Sequence, residues 1–246
     1  MDTTGYLPLS AARAMQRGLD VTSNNLANAN TAGFRADRMV FESMIDKAAS
    51  PLEPVAYSFD RLTYSDTAQG GLQTTGNPLD LAVQGNGWFG YETPDGRVAL
   101  GRNGQFVVDA EGMIRTTAGH PVLDAGGGAI QMPLESGLPQ IARDGTISLE
   151  DGQIIGQIGV FAAPDIATWQ RLADGLFVPR DGAPAPLEAA ETPVVVQGAL
   201  EQSNVNPINE MVRMIQIQRS YDQAMAMASN HNDLRQNTLS RLGQKV

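Results

Sequence analysis

Apolar side chains recur at alternating spacings of three and four near both ends of the chain, while the middle holds short runs separated by turn dipeptides. Near the N-terminus, Ala12, Met15, Leu19, Thr22 and Leu26 mark the seam of a helix predicted from about Leu9 to Ala27. Near the C-terminus, Met211, Met214, Tyr221, Met225, Ala228, Leu239 and Leu242 keep the same coiled-coil rhythm. A helix of some twenty residues is marginal alone in water. Each buried Leu or Met contributes about 1.5–3 kcal/mol, and each ordered backbone residue costs about 1–2 kcal/mol. Both seams therefore need partners: the other terminus, other copies of the chain, or both.

The first helix is expected to stop within the run Ser23 to Phe34, because asparagine and especially Gly33 tolerate the left-handed conformation of a helix end. A capped end uses some of the asparagines. About two of the four, Asn24, Asn25, Asn28 and Asn30, are accounted for in this way, and the others either bond neighbouring chains or face solvent. The second helix opens with Asn206 as its N-cap, Pro207 at its first position and Glu210 near the positive end of its dipole.

Residues 35–75 and 190–202 are read as extended connectors, the former beginning with a helical extension to about Lys47 that Pro51 and Pro54 prevent from continuing. From Gly76, β-like runs alternate with Asn-Gly, Asp-Gly and Glu-Gly pairs, the residues of tight hairpins. Ile166, Trp169 and Leu172 suggest a brief helical turn, and Pro193 to Gln197 a final strand. The expected fold class is α+β. Residues 1–34 and 203–246 form a coiled-coil-like helical domain, and residues 76–189 form a mainly antiparallel β domain, arranged as a meander or small sandwich.

Composition narrows the chemistry. An apolar content of 42% in 246 residues suits a folded chain of one or two domains. A formal charge of −10, without any Lys/Arg cluster, argues against a nucleic-acid partner. The absence of cysteine excludes disulfides, thiolate metal sites and a cysteine nucleophile. No stretch has the length of a membrane span, and the first residues lack the basic and apolar regions of a cleaved signal, so work outside the cytoplasm would require another export route.

Candidate catalytic groups are sparse. His120 and His231 lack ligand spacing and read as surface or turn residues. Gly126-Gly127-Gly128 lacks the Lys-Ser/Thr of a phosphate loop and reads as a hairpin loop. The Asp-Gly pairs lack the acidic spacing of a calcium loop. A carboxylate pair for a secreted glycan hydrolase is the enzyme alternative, since sequence does not measure carboxylate separation. No cofactor and no metal are expected.

Four strings carry a resemblance. Ser23 to Phe34 (SNNLANANTAGF), Asn77 to Phe89 (NPLDLAVQGNGWF), Arg102 to Phe106 (RNGQF) and Gln197 to Pro207 (QGALEQSNVNP), the last continuing to Tyr221, closely resemble the flagellar rod and hook axial proteins in their order along the chain. The opening Met1-Asp2, Tyr6, the phrase from Asn28 to Thr31 and the string from Asp174 to Phe177 are most similar to proximal-rod members. The alternative is a distal-rod or hook-type subunit. The resemblance implies a non-enzymatic structural subunit, exported by the flagellar type III apparatus without a cleaved signal and assembled in the periplasm-spanning rod that transmits torque. It implies partners among other copies of the chain and neighbouring rod proteins, contacted through the terminal helices. The candidate interface residues are accordingly Ala12, Met15, Leu19, Leu26, Asn24, Asn25, Asn28, Met211, Met214, Tyr221, Met225, Leu239 and Leu242.

Overall fold

Both terminal helices are present in a computed structural model of the chain. Helix α1 spans Tyr6–Ala27 and ends at the predicted position; α2 spans Pro207–Gly243, about 55 Å at 1.5 Å per residue. The predicted cap of α2 forms: Asn206 Oδ1 accepts the amides of Ile208 and Asn209 at 3.1 and 3.2 Å. The structure describes residues 6–46, 55–133, 137–172, 174–180 and 182–243.

The helical extension expected after Ala36 is not formed. Instead β1 (Asp37–Asp46) pairs with β2 (Val55–Ser65) as a two-stranded sheet. The pairing with residues 55–65 overrides the local helical reading of residues 37–46, since strand formation depends on cross-strand context more than on local pattern. This hairpin belongs to one compact unit with both helices (residues 1–27, 37–64 and 206–246); residues 28–36 and 65–205 form the other.

In chain order, the second unit holds β3 (Leu72–Thr74), β4 (Leu81–Gln84), β5 (Trp88–Glu92), β6 (Val98–Gly101), β7 (Phe106–Val108) and β8 (Ile114–Thr116). These are followed by β9 (Gln140–Ile141), β10 (Thr146–Ser148), β11 (Ile154–Gln157) and β12 (Val160–Phe161). A 3-10 turn at Ile166–Thr168 stands where a helical turn was expected, before β13 (Gln170–Arg171), β14 (Phe177–Val178), β15 (Val194–Gln197) and β16 (Ala199–Glu201).

The described ladders of this unit are antiparallel, as expected, and of the two arrangements considered, meander or small sandwich, they do not form a simple meander. The largest sheet runs β12-β5-β6-β14-β13, and β9, β10 and β11 form a separate sheet. Local turns make the neighbours β5–β6, β7–β8 and β10–β11, whereas later strands return to flank earlier ones. Two returns fall in the stretches expected as connectors: β16 pairs with β3, and β15 pairs with β4.

Strand β5 explains the layering. Trp88 faces a cluster with Leu100, Phe161, Ile166 and Phe177, and Phe89 and Tyr91 face the larger core of Leu81, Phe106, Ile114, Val122, Ile147 and Ile158. Side chains alternate across a strand, so β5 is covered on both faces. Edge-to-face contacts between Phe89 and Phe106, 5.4 Å between centroids, and between Trp88 and Phe177, 5.6 Å, fill the two sides.

The turn glycines Gly96, Gly112, Gly145 and Gly152 take positive φ, as expected for tight turns, but Gly104 does not. A Cβ on Gly104 would stand 1.7 Å from the Leu81 carbonyl oxygen, and the Gly104 carbonyl accepts the Leu81 amide at 2.9 Å. Close approach of two backbones is what demands glycine there. Gly104→Ala is expected to destabilise the β unit by about 1–3 kcal/mol in urea unfolding followed by tryptophan fluorescence. Gly156→Ala, whose Cβ would meet nothing within 4 Å, should change it by less than about 0.5 kcal/mol.

Candidate functional site

Helices α1 and α2 lie alongside one another. After Pro207, the less exposed of the described α2 positions are Glu210, Met214, Ile217, Tyr221, Ala224, Ala228 and His231, spaced alternately by four and three. Three predicted positions, Met214, Tyr221 and Ala228, fall in this frame. Met211 and Met225 lie one residue outside it and are 47% and 44% exposed. The apolar pattern counts Met211 and Met225 because it passes over the neighbouring, less exposed Glu210 and Ala224, one charged and one small.

On α1 the buried positions are Ala12, Ala14, Gly18, Thr22 and Asn25, with Met15, Leu19 and Leu26 half-buried. Small residues at 14, 18 and 22 leave little side-chain bulk on that face. Asn24 is exposed and Asn28 half-buried; Asn28 Oδ1 accepts the Thr31 hydroxyl at 3.2 Å. The Leu239 and Leu242 side chains lie outside the described residues.

Asn25 has a defined role. Its Nδ2 donates to the Asp37 carbonyl at 2.9 Å and its Oδ1 accepts the Asp37 amide at 2.8 Å, so one fully buried side chain satisfies both backbone groups where β1 begins. Glu210, also buried, gives the helical unit a second polar fixture. Its Oε1 receives Arg38 Nη1 at 3.1 Å and Arg213 Nη1 at 3.2 Å.

In the β unit, residues 28–36 form a strap held by Glu201. The Glu201 backbone carbonyl accepts the Gly33 amide at 2.7 Å, and its Oε1 accepts the Gly70 amide at 2.9 Å. Arg35 Nη1 stands 2.6 Å from Oε1 as an ion pair without hydrogen-bond alignment, and Arg102 Nη1 donates to Oε2 at 3.0 Å. Arg102 also donates to the carbonyls of Val83 and Gly85, and both guanidinium groups lie over the Trp88 ring at 4.9 and 5.5 Å. Burial lowers the Arg102 pKa from its ordinary value, opposed by Glu201. Burial raises that of Tyr91, whose hydroxyl donates to the Asn103 carbonyl at 2.6 Å.

The strap ends on Asn204. Its Oδ1 accepts the Ala36 amide at 2.7 Å, and its Nδ2 donates to the carbonyls of Asp66 and Ala68. Arg171 lies 4.5 Å over the Phe34 ring and donates to the Arg35 carbonyl. Gly33 takes a φ of +69°, and a Cβ there would stand 2.3 Å from the Arg102 carbonyl carbon, so the strap must carry glycine at that point.

Sequence reasoning missed Arg35, Arg102, Glu201 and Glu210 as organising residues. The available signal was an ionisable residue inside each otherwise apolar or turn-forming string, and spacing alone could not pair residues so distant in sequence. His120 is in a turn as expected but buried rather than on the surface, with Nε2 2.8 Å from Asp174 Oδ2. The Gly126–Gly128 segment is a hairpin loop closed on Asp124 Oδ1, which accepts the amides of Gly126 and Gly128. Among the described residues no group of three His, Cys, Asp or Glu side chains could hold a metal, and no helix is long and apolar enough to cross a membrane.

Asn25, Arg35, Arg102, Glu201, Asn204 and Glu210 fall within segments that match known families. Residues 9–35 match a family described as flagella basal body rod protein, residues 82–149 the flagellar hook protein FlgE/F/G D1 domain, and residues 196–242 the flagellar basal body rod FlgEFG protein C-terminal. Over 245 residues the chain is 36% identical to the flagellar basal-body rod protein FlgF of Mesorhizobium japonicum, covering 100% of both chains. The chain belongs to the flagellar basal-body rod protein family. The rod protein FlgF of Caulobacter vibrioides is 35% identical over 99% of both chains, and the rod protein FlgG of Buchnera aphidicola (from Acyrthosiphon pisum) 33% identical over 85% of this chain and 88% of its own. The family is one of structural rod proteins, and these matches lend no support to the glycan-hydrolase alternative.

Two substitutions test the fixtures of this rod protein. Glu201→Ala leaves two arginines buried without their carboxylate and should lower the stability of the β unit by about 3–5 kcal/mol in urea denaturation. Asn25→Ala leaves the Asp37 amide and carbonyl without these two hydrogen bonds and should cost about 1–3 kcal/mol, read as faster amide exchange at Asp37 and in α1.

Proposed function

We propose that this flagellar rod protein is a structural subunit of the proximal rod, and that its terminal helices form the axial core by packing in a coiled-coil-like manner with each other and with neighbouring subunits. The observation that carries the reading is the second apolar face of α2. Ile208, Met211, Val212 and Ile215 recur at helical spacing on the side away from the seam and are each at least 47% exposed. An intramolecular partner already lies along the seam, so this face is left for other copies of the chain and for adjacent rod proteins. The assembled rod transmits torque across the periplasm. Export follows the flagellar type III route. The FlgF-named relatives support the proximal position, and the FlgG match supports a distal-rod subunit as the second reading.

Helix packing should be separable from folding of the β unit. In cells whose only copy carries Leu19→Glu or Met214→Glu, the amount of this protein in purified basal bodies should fall at least about ten-fold, because a charge is forced into a desolvated seam. The urea midpoint of the β unit should stay unchanged. Normal incorporation of both variants would refute the helix-mediated reading, and a basal-body map placing the subunit next to the hook would favour the distal one.

A further inference from the structure

The methionines whose side chains are described differ sharply in exposure, and the chain contains no cysteine to compete as a sulfur nucleophile. Met132 lies in the β core at 5% exposure, whereas Met211 and Met225 are 47% and 44% exposed on α2. Fourteen residues separate the latter two, close to four turns at about 3.6 residues per turn, so they share a side of the helix. Met211 stands among Ile208, Val212 and Ile215, the exposed apolar residues on which the assembly reading rests. Met227 is 64% exposed but two residues from Met225, and so points elsewhere around the helix.

We propose that Met211 and Met225 are oxidation sites that decide whether the free subunit can enter the assembly. The oxidant class is a peroxide. The thioether sulfur donates an electron pair to one peroxide oxygen, the O–O bond breaks, an S–O bond forms and water leaves; the sulfur loses two electrons and the peroxide gains them. The product is a sulfoxide, which turns a flexible apolar side chain into a polar one and is reversed by methionine sulfoxide reductases. On the face of α2, that change replaces an apolar contact with a group that must be desolvated to dock. A subunit oxidised in transit is rejected, and one already packed is shielded. The assembly consequence rests on the proposed function; the site selectivity does not.

The purified full-length chain is treated with hydrogen peroxide and mapped by peptide mass spectrometry. Sulfoxide is expected at Met211 and Met225 at least about ten-fold faster than at Met132, as their exposure requires. Equal rates overturn the selectivity. Cells expressing either the native chain or a Met211→Leu/Met225→Leu variant are then exposed to peroxide during basal-body assembly. The variant substitutes apolar side chains of similar volume, a change usually tolerated, and its circular dichroism should match that of the native chain. Peroxide should lower incorporation of the native chain several-fold and of the variant less than two-fold, while Met227→Leu alone should give no protection. An equal fall for native chain and double variant overturns the proposal. If the untreated native chain never enters a basal body, the rod reading fails and the assembly consequence with it, while the mass measurement still decides the sites.

Discussion

The β unit depends on one buried carboxylate. Glu201 receives the strap through Gly33 and Arg35, the approach to β3 through Gly70, and the β6 end through Arg102. Two cations face one anion in a site closed to solvent, an arrangement whose desolvation penalty can exceed its Coulombic gain. Stability alone would be served as well by apolar packing. What the ions add is direction: each oxygen has its own partners, so a strap shifted by one residue would leave a buried charge exposed to no counter-ion. Trp88 below the guanidinium groups contributes a flat surface that fits them without asking for further hydrogen bonds.

The helical unit applies the same logic with less apolar area. Its seam combines Ala14, Gly18 and Thr22 with Glu210, Ala224 and Ala228, and its most specific contacts are the amide clamp of Asn25 and the two arginines on Glu210. Such a seam sets register more than it supplies stability. Asn25 and Glu210, which look least suited to a coiled-coil stripe, fix the start of β1 against the two helices, and both lie in strings by which the chain resembles its family.

Much of the architecture was legible in the residues, for reasons that can be assigned. Local rules placed the end of α1, the Asn206 cap with Pro207 after it, and the Asp-Gly turns of the β unit. Rules of local order could not place β14 beside β6, or β16 beside β3, because those pairings close long loops and depend on side chains far apart in sequence. The β1–β2 hairpin was missed where the segment lacked strict alternation. Periodicity selected Met211 and Met225 rather than the less exposed Glu210 and Ala224 because it weights size and apolarity, and one of the two arginines on Glu210, Arg38, stands on another element. Candidate interface residues were thus found by type, while the clamps that orient them became visible only with coordinates.

The residue-by-residue frame matters for how such a subunit could associate. With the seam occupied by small and polar groups, four of the larger apolar side chains of α2 stand outside it: Ile208, Met211, Val212 and Ile215. Each is already partly covered, so burying them would contribute at most roughly 6–12 kcal/mol at about 1.5–3 kcal/mol each, against an association cost of about 4–15 kcal/mol for lost translational and rotational freedom. A single pairwise contact through this face is therefore close to balance, and free subunits would gain little by dimerising. A subunit that meets two or more neighbours at once loses its translational freedom only once while burying several such faces. On the proposed reading, that arithmetic favours addition at the growing end of an assembly over association in solution, and it places the decision in the few side chains that the seam leaves uncovered.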